Sequence, residues 1–184
     1  MRMENKKRCF WVNMKNPRYV KYHDTEWGVP SRDDNRLFEM LLLETFQAGL
    51  SWECVLNKRD AFRVAFDDFN VSKIANYDDN KISELCNNPA IIRNRQKIVS
   101  AVTNARVFIR IAAEYGTFAK YIWSWTDNKT IRETGIPKSE LSDKISADLR
   151  RRGMKFVGST TIYAYLQAVG IINSHDADCF CCNI

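Results

Sequence analysis

The residues able to do chemistry fall into three groups. In the stretch "MLLLETFQAGLSW", Met40 to Trp52, a single carboxylate, Glu44, interrupts an apolar run. Leu37, Leu41, Glu44 and Ala48 recur at helical spacing, which puts Glu44 on the apolar face of a helix. An acid there is either an ion-pair partner or helix-end ligand inside an ordinary core, or an ionised acceptor in a binding pocket. Trp11, Tyr19, Tyr22, Trp27 and Trp52 accompany it, out of five tryptophans and seven tyrosines in 184 residues. Such aromatics can simply be core, or they can offer ring faces to a flat ligand; a cationic ligand would be favoured by both the rings and the acid.

The second group consists of two histidines and six cysteines: His23, His175, Cys9, Cys54, Cys86, Cys179, Cys181 and Cys182. In "NSHDADC" His175 precedes Cys179 by four residues, so one turn of chain can aim an imidazole and a thiolate at a common point. Cys9 and His23 could complete a tetrahedral set of soft ligands, as zinc requires. The other reading is an exposed histidine and buried free thiols. Among the tail thiols, Cys179, Cys181 and Cys182 all remain candidates. Four protein ligands would leave no open position for water, so the zinc would be structural, tying the N-terminal segment to the C-terminal tail.

The third group lies in "LRRRGMKFVGSTTIYAYLQAVG", a helix, a short Gly-containing turn and a second helix at about 142–170. Free amides at the start of the second helix, near Gly158, Ser159 and Thr160, suit a phosphate oxygen. Arg150, Arg151, Arg152 and Lys155 add positive charge, as a clamp on a DNA backbone would need. The alternative is a capped helical hairpin with a solvated basic face.

Periodicity supplies helices to position all three groups. One follows Asp33 and Asp34 and ends at Gly49; another is capped by Ser51 and runs through Trp52, Val55, Leu56 and Phe62. A long helix is striped by Ile98, Val102, Ala105, Ile109 and Ala112 and stops at Gly116. Shorter ones fit Ile82 to Cys86 and Phe118 to Trp125. Ser142 opens a further helix to Gly153, and Ser159 begins the last, ending at Gly170. No alternating pair of strands is evident, so the class is all-α, in one domain over 1–184.

Composition agrees with a folded chain, 45% apolar and 27% charged. Its 28 Lys and Arg against 22 Asp and Glu, net +6, favour nucleic acid, anionic surfaces or acidic ligands. No apolar run is long enough to span a bilayer and no secretory signal is evident, so a cytoplasmic location is expected.

The segments "RCFWV", "YHDTEWGVP", "LFEMLLLETFQAGLSW", "IIRNRQKI", "RRGMKFVGSTTIYAYLQAVG" and "HDADCFCC", in order from Cys9 to the tail, resemble the 3-methyladenine DNA glycosylase I family. That family belongs to the all-α helix-hairpin-helix glycosylases, which remove alkylated bases from DNA. The resemblance implies zinc on Cys9, His23, His175 and Cys179. It implies base reading by Glu44 and Tyr22, stacking on Trp52, and pocket walls from Trp11 and Trp27, with Tyr19 nearby. Gly49 and Leu50 match the element that fills the gap left by an extruded nucleotide. Thr45 and Phe46 depart from the smaller, more polar residues expected after the glutamate, which would alter the pocket wall. The family lacks the usual catalytic Asp after its hairpin; here only Asp176 stands in that region.

This resemblance implies a monofunctional hydrolase of base excision repair, with alkylated double-stranded DNA as partner, zinc as a structural cofactor, and a monomer without an obligate protein partner. Methylation at N3 makes the nucleotide cationic, so the base leaves neutral without an enzyme acid. Glu44 then serves as base reader and electrostatic stabiliser. The rival from another class is a zinc-stabilised module that binds damaged DNA without cutting.

Overall fold

The computed structural model describes residues 6–183. Asn16 opens α1 (Pro17–Thr25): its side chain accepts from the amides of Arg18 and Tyr19, and Pro17 occupies the first turn, where no amide hydrogen is missed. This helix was not expected from periodicity, because only Tyr22 and His23 of its nine residues are buried.

Asp33 caps α2 (Asp34–Gln47) by accepting from the amide of Asn35. Every residue from Leu37 to Phe46 on α2 is buried, including Glu39 and Glu44. A helix apolar on all sides belongs inside, and α2 is the axis around which α3, α7, α8 and α10 pack. Here α3 is Trp52–Asn57, capped by Ser51, and α4 is Arg59–Ala65. The sequence pattern suggested one helix across both; the structure bends at Lys58, whose φ of −98° and ψ of 0° lie off the helical track.

After a 3-10 turn at Asp67–Phe69 come α5 (Val71–Ala75), α6 (Asp79–Asn87), α7 (Arg95–Tyr115) and α8 (Phe118–Ser124). The long α7 ends at Gly116, whose φ of 88° is where glycine is at ease. It buries Ile98, Val102, Ala105, Phe108 and Ile111 along one stripe.

Next, α9 (Glu140–Arg151) and α10 (Ser159–Ala168) pack against each other. Ser142 does not open α9 as expected; Ser139 is its cap, and Ser142 returns the bond three residues later, a reciprocal box that satisfies two otherwise free amides. Two residues of β1 (Ile131–Arg132) pair in parallel with β2 (Ile172–Asn173). This small addition to a mostly helical fold is too short to leave a period-two signal, yet it seats the chain entering α9 beside the tail leaving α10. Among the described residues no helix is long and apolar enough to cross a membrane.

Candidate active site

The three groups of residues converge around the C-terminal half of α2. Glu44 is only 4% exposed and lines a cavity of about 580 Å³. Tyr22 from α1 and Trp52 from the start of α3 stand over it with ring centroids 5.1 Å apart and tilted at 48°. Trp11 closes a second wall, edge-on to Trp27 at 4.7 Å and tilted against Tyr19 at 5.4 Å. All six residues expected at the pocket therefore line one cavity. Its size lies within the roughly 300–1,000 Å³ of small-molecule sites.

Among the described residues, Oε2 of Glu44 and Nε1 of Trp52 are buried with no hydrogen-bond partner. Buried polar atoms are almost always satisfied, so two orphans in one cavity mark positions shaped for something the chain itself does not provide. Burial alone pushes the Glu44 carboxyl up to about 8. Desolvation in the free protein therefore works against the ionised form expected from the sequence. Tyr22 is pushed well above its usual range by burial and by the Glu44 charge.

Thr45 and Phe46 do not face the cavity. The Thr45 hydroxyl donates to the Leu42 carbonyl 2.7 Å away, and Phe46 packs edge-on against Phe62 at 4.8 Å, so neither lines the cavity. Residues that sequence reasoning missed include Phe10, Gln47, Ile136, Gln167 and Ser174. Gln47 was within reach, since it follows Glu44 by one helical turn. Ile136 arrives from the loop between β1 and α9, which only the tertiary fold brings over the pocket. Asp176 also lines the cavity; its carboxylate accepts from the Phe10 amide at 3.0 Å.

A crevice of about 170 Å³ continues from Glu44 past Gln47, Gly49 and Leu50 to Thr160 and Ala164. Gly49 has φ of 79°, and Leu50 behind it is 43% exposed. The Gly49–Leu50 turn and the start of α10 are therefore neighbours. Gly158 caps α10 without any side-chain bond, and an added Cβ there would stand 3.3 Å from the Arg150 guanidinium. The Ser159 hydroxyl is spent on Ser142 at 2.8 Å, while Lys155 is exposed. Arg151 and Arg152 both pair with Asp148, and Arg152 also pairs with Glu114, while the Arg151 side chain is still 77% exposed.

Behind the pocket the N-terminal segment meets the tail. The ligand atoms of Cys9, His23 and Cys179 lie within 4.8 Å of one another, as do those of His175, Cys179 and Cys181. All five residues are buried. Nδ1 of His23 contacts the Asp24 carboxylate at 2.8 Å, and Nδ1 of His175 contacts Asn173 Oδ1 at 3.1 Å. Both rings are thereby oriented by Nδ1, and His175 Nε2 is buried with no partner among the described residues. Burial and the neighbouring His23 lower His175 to about 4, keeping it neutral, while burial raises Cys9 to about 12.

A model of the methyladenine glycosylase family matches residues 11–182. DNA-3-methyladenine glycosylase 1 of Escherichia coli (strain K12) is 39% identical over 180 residues, 95% of this chain and 96% of that protein. A crystal structure of 3-methyladenine DNA glycosylase I superposes with a TM-score of 0.91 at 39% identity, covering 95% of this chain and 99% of the other. A structure of the Staphylococcus aureus 3-methyladenine DNA glycosylase I, determined for the structural basis of 3-methyladenine recognition, gives a TM-score of 0.87 at 35% identity over 90% and 92%.

Proposed function

The chain belongs to the methyladenine glycosylase family and hydrolyses the N-glycosyl bond of 3-methyladenine in alkylated DNA, and from that premise we propose how its pocket does so. The observation that carries the reading is the buried Glu44 carboxyl, whose Oε2 has no partner among the described residues, lining a cavity walled by Tyr22, Trp52 and Trp11.

To reach the pocket the lesion must leave the base stack, at a cost of a few kcal/mol. Leu50, exposed beside Gly49, fills the gap left in the duplex, while Lys155 and the amides of Gly158, Ser159 and Thr160, at the turn of a helix-hairpin-helix element, hold a phosphate of the DNA backbone. Inside, the base stacks on Trp52 and its amino hydrogens face Glu44, which accepts them when ionised. The positive charge of the methylated nucleotide favours that ionised form and so offsets the desolvation that otherwise keeps the carboxyl protonated.

Bond breaking then needs little from the protein. The C1′–N9 bond breaks with its electron pair going to N9, which releases 3-methyladenine as a neutral base. Positive charge passes to the sugar, where water adds at C1′ and gives up a proton, leaving an abasic site. The Glu44 carboxylate stabilises this charge in a dry site, where such interactions are strongest. No lysine lines the cavity, which supports a monofunctional hydrolase over a lyase that works through an imine.

Zinc fits the donor set on the far side of the pocket. Cys9, His23, His175 and Cys179 would hold it, with Cys181 as the competing donor beside His175. Asp24, itself paired with Arg8 at 2.6 Å, and Asn173 would serve as the outer supports. When bound, zinc would neutralise thiolates and join the two ends of the chain; it takes no part in the chemistry of the base.

Chromatography of bases freed from methylated duplex DNA tests this function. Free 3-methyladenine should appear with the protein and not without it. Binding to methylated duplex with every methylated base left in place would favour the non-cutting module.

A further inference from the structure

Two polar side chains of α7 that line no part of the pocket are buried and spent entirely on main-chain groups of the elements that face DNA. Lys97 is 5% exposed, and its ammonium donates to the carbonyls of Phe46 at 2.8 Å and Ala48 at 2.6 Å. These belong to the last turn of α2, immediately before Gly49 and Leu50, where carbonyls lack intrahelical partners and the helix end is negative. Seven residues along, Asn104 is 3% exposed and holds both main-chain groups of one hairpin residue: its amide donates to the Lys155 carbonyl at 3.0 Å and its oxygen accepts from the Lys155 amide at 2.8 Å.

A seven-residue separation puts both side chains on one face of α7, roughly 10 Å apart along the axis. Between them lies Phe156, whose ring centroid is 5.9 Å from the Lys97 ammonium and whose φ of 56° is unusual for a residue with a side chain. One rigid helix thus fixes the wedge turn and the phosphate-facing turn in a single frame. A lysine buried only to fill space would be costly. Two carbonyls at a helix end explain why it is tolerated, and the hairpin bond explains what the frame serves.

We propose that Lys97 and Asn104 are positioning residues that couple phosphate capture by the hairpin to insertion of Leu50, so that gripping the backbone and extruding the nucleotide occur as one event. This rests on the reading of Leu50 as wedge and of the hairpin as clamp. It predicts that loosening either link leaves the base pocket intact while uncoupling grip from extrusion.

The test uses the full chain with Lys97→Met, Lys97→Arg, Asn104→Leu and the Met/Leu double variant, each checked for a native melting transition. Three quantities are measured: single-turnover release of 3-methyladenine from alkylated duplex, extrusion reported by 2-aminopurine beside a non-hydrolysable lesion analogue, and affinity for free 3-methyladenine from tryptophan fluorescence. Lys97→Met and Asn104→Leu should each slow release and extrusion by about tenfold or more, the scale of a sub-ångström to ångström misplacement. Free-base affinity should stay within about threefold, Lys97→Arg should restore most of the rate, and the double variant should lose little beyond the worse single, because both cuts open the same linkage.

Folded single variants with unchanged release and extrusion would overturn the proposal, as would losses that multiply in the double variant. Equal loss of free-base affinity and release would also overturn it, by making these residues part of the base pocket. Should the larger substitutions prevent folding, Asn104→Asp keeps the acceptor and loses the donor; an effect of about threefold is expected, and no effect counts against the coupling. Absence of base release by the wild type would sink the glycosylase reading instead, with the extrusion signal still deciding the coupling.

Discussion

Tyr22 and Trp52 hold their rings 5.1 Å apart but tilted by 48°, so they do not satisfy each other as a closed stack, and Trp52 keeps a buried indole nitrogen without a partner. The pair is set by two separate caps: Asn16 starts the helix that carries Tyr22, and Ser51 starts the helix that carries Trp52. Two short helices converging on α2 thereby present ring faces to the cavity that Glu44 lines.

Replacing Trp52 with leucine should remove most of the stacking surface while keeping the position apolar. Stacking of a base on an aromatic ring is worth about 1–3 kcal/mol. Affinity for free 3-methyladenine, measured by calorimetry, should fall by roughly tenfold to a hundredfold. Unaltered affinity would place the base elsewhere in the cavity.

The raised pKa of Glu44 makes a signed prediction about stability. Its usual value is 4.5 and the folded protein holds it at about 8. Between those values the folded state keeps a proton that the unfolded chain has lost, so stability falls as pH rises through this window and is level below it. At about 1.4 kcal/mol for each pH unit, the loss is on the order of a few kcal/mol. Glu44→Gln cannot ionise and should lack this slope, gaining on the wild type between pH 5 and pH 8.5 in urea melts. Parallel pH profiles would show that Glu44 carries no such burden.

Association with the lesion should also release a proton. A cationic nucleotide favours the carboxylate, so binding a duplex with a non-hydrolysable cationic nucleoside at pH 7 should eject close to one proton per site. Calorimetry in buffers of different ionisation enthalpy measures it, and Glu44→Gln should abolish it. Heats that do not vary with buffer would leave Glu44 without its part in sensing charge.

The helical class was legible from local signals, periodicity along α2 and caps at Ser51 and Asp33, whereas the same signals left the aromatics near Glu44 open between core and pocket, and only the family resemblance grouped the six residues that line one cavity. What escaped came from distant chain segments. Ile136 reaches the pocket only because two-residue strands pair Ile131 with Ile172, and no period reveals so short a pairing. The strength of the desolvation on Glu44 was not legible, because it depends on what surrounds all sides of α2, whereas the pattern reports one face. That Arg151 and Arg152 would pair with Asp148, and Arg152 with Glu114, was not legible as local charge pattern either. The metal group was legible as residues, yet Cys179 and Cys181 both stand in ligand range.

Cys9→Ser should remove bound zinc, measured as metal content after chelator-free reducing purification, and should lower the melting temperature by opening the contact between the N-terminal segment and the tail. Free-base affinity should change only through the shift of Trp11, two residues on. Purified wild-type protein lacking zinc in that preparation would remove the metal from the account.

The most direct test of the central claim is single-turnover release of 3-methyladenine from alkylated duplex by the wild type and by Glu44→Gln. A preorganised charge facing the reacting centre is typically worth about a hundredfold to a thousandfold in rate. Glu44→Gln should therefore retain the fold and the duplex affinity while losing release on that scale. Equal release by a folded Glu44→Gln protein would contradict the role assigned to the buried carboxylate.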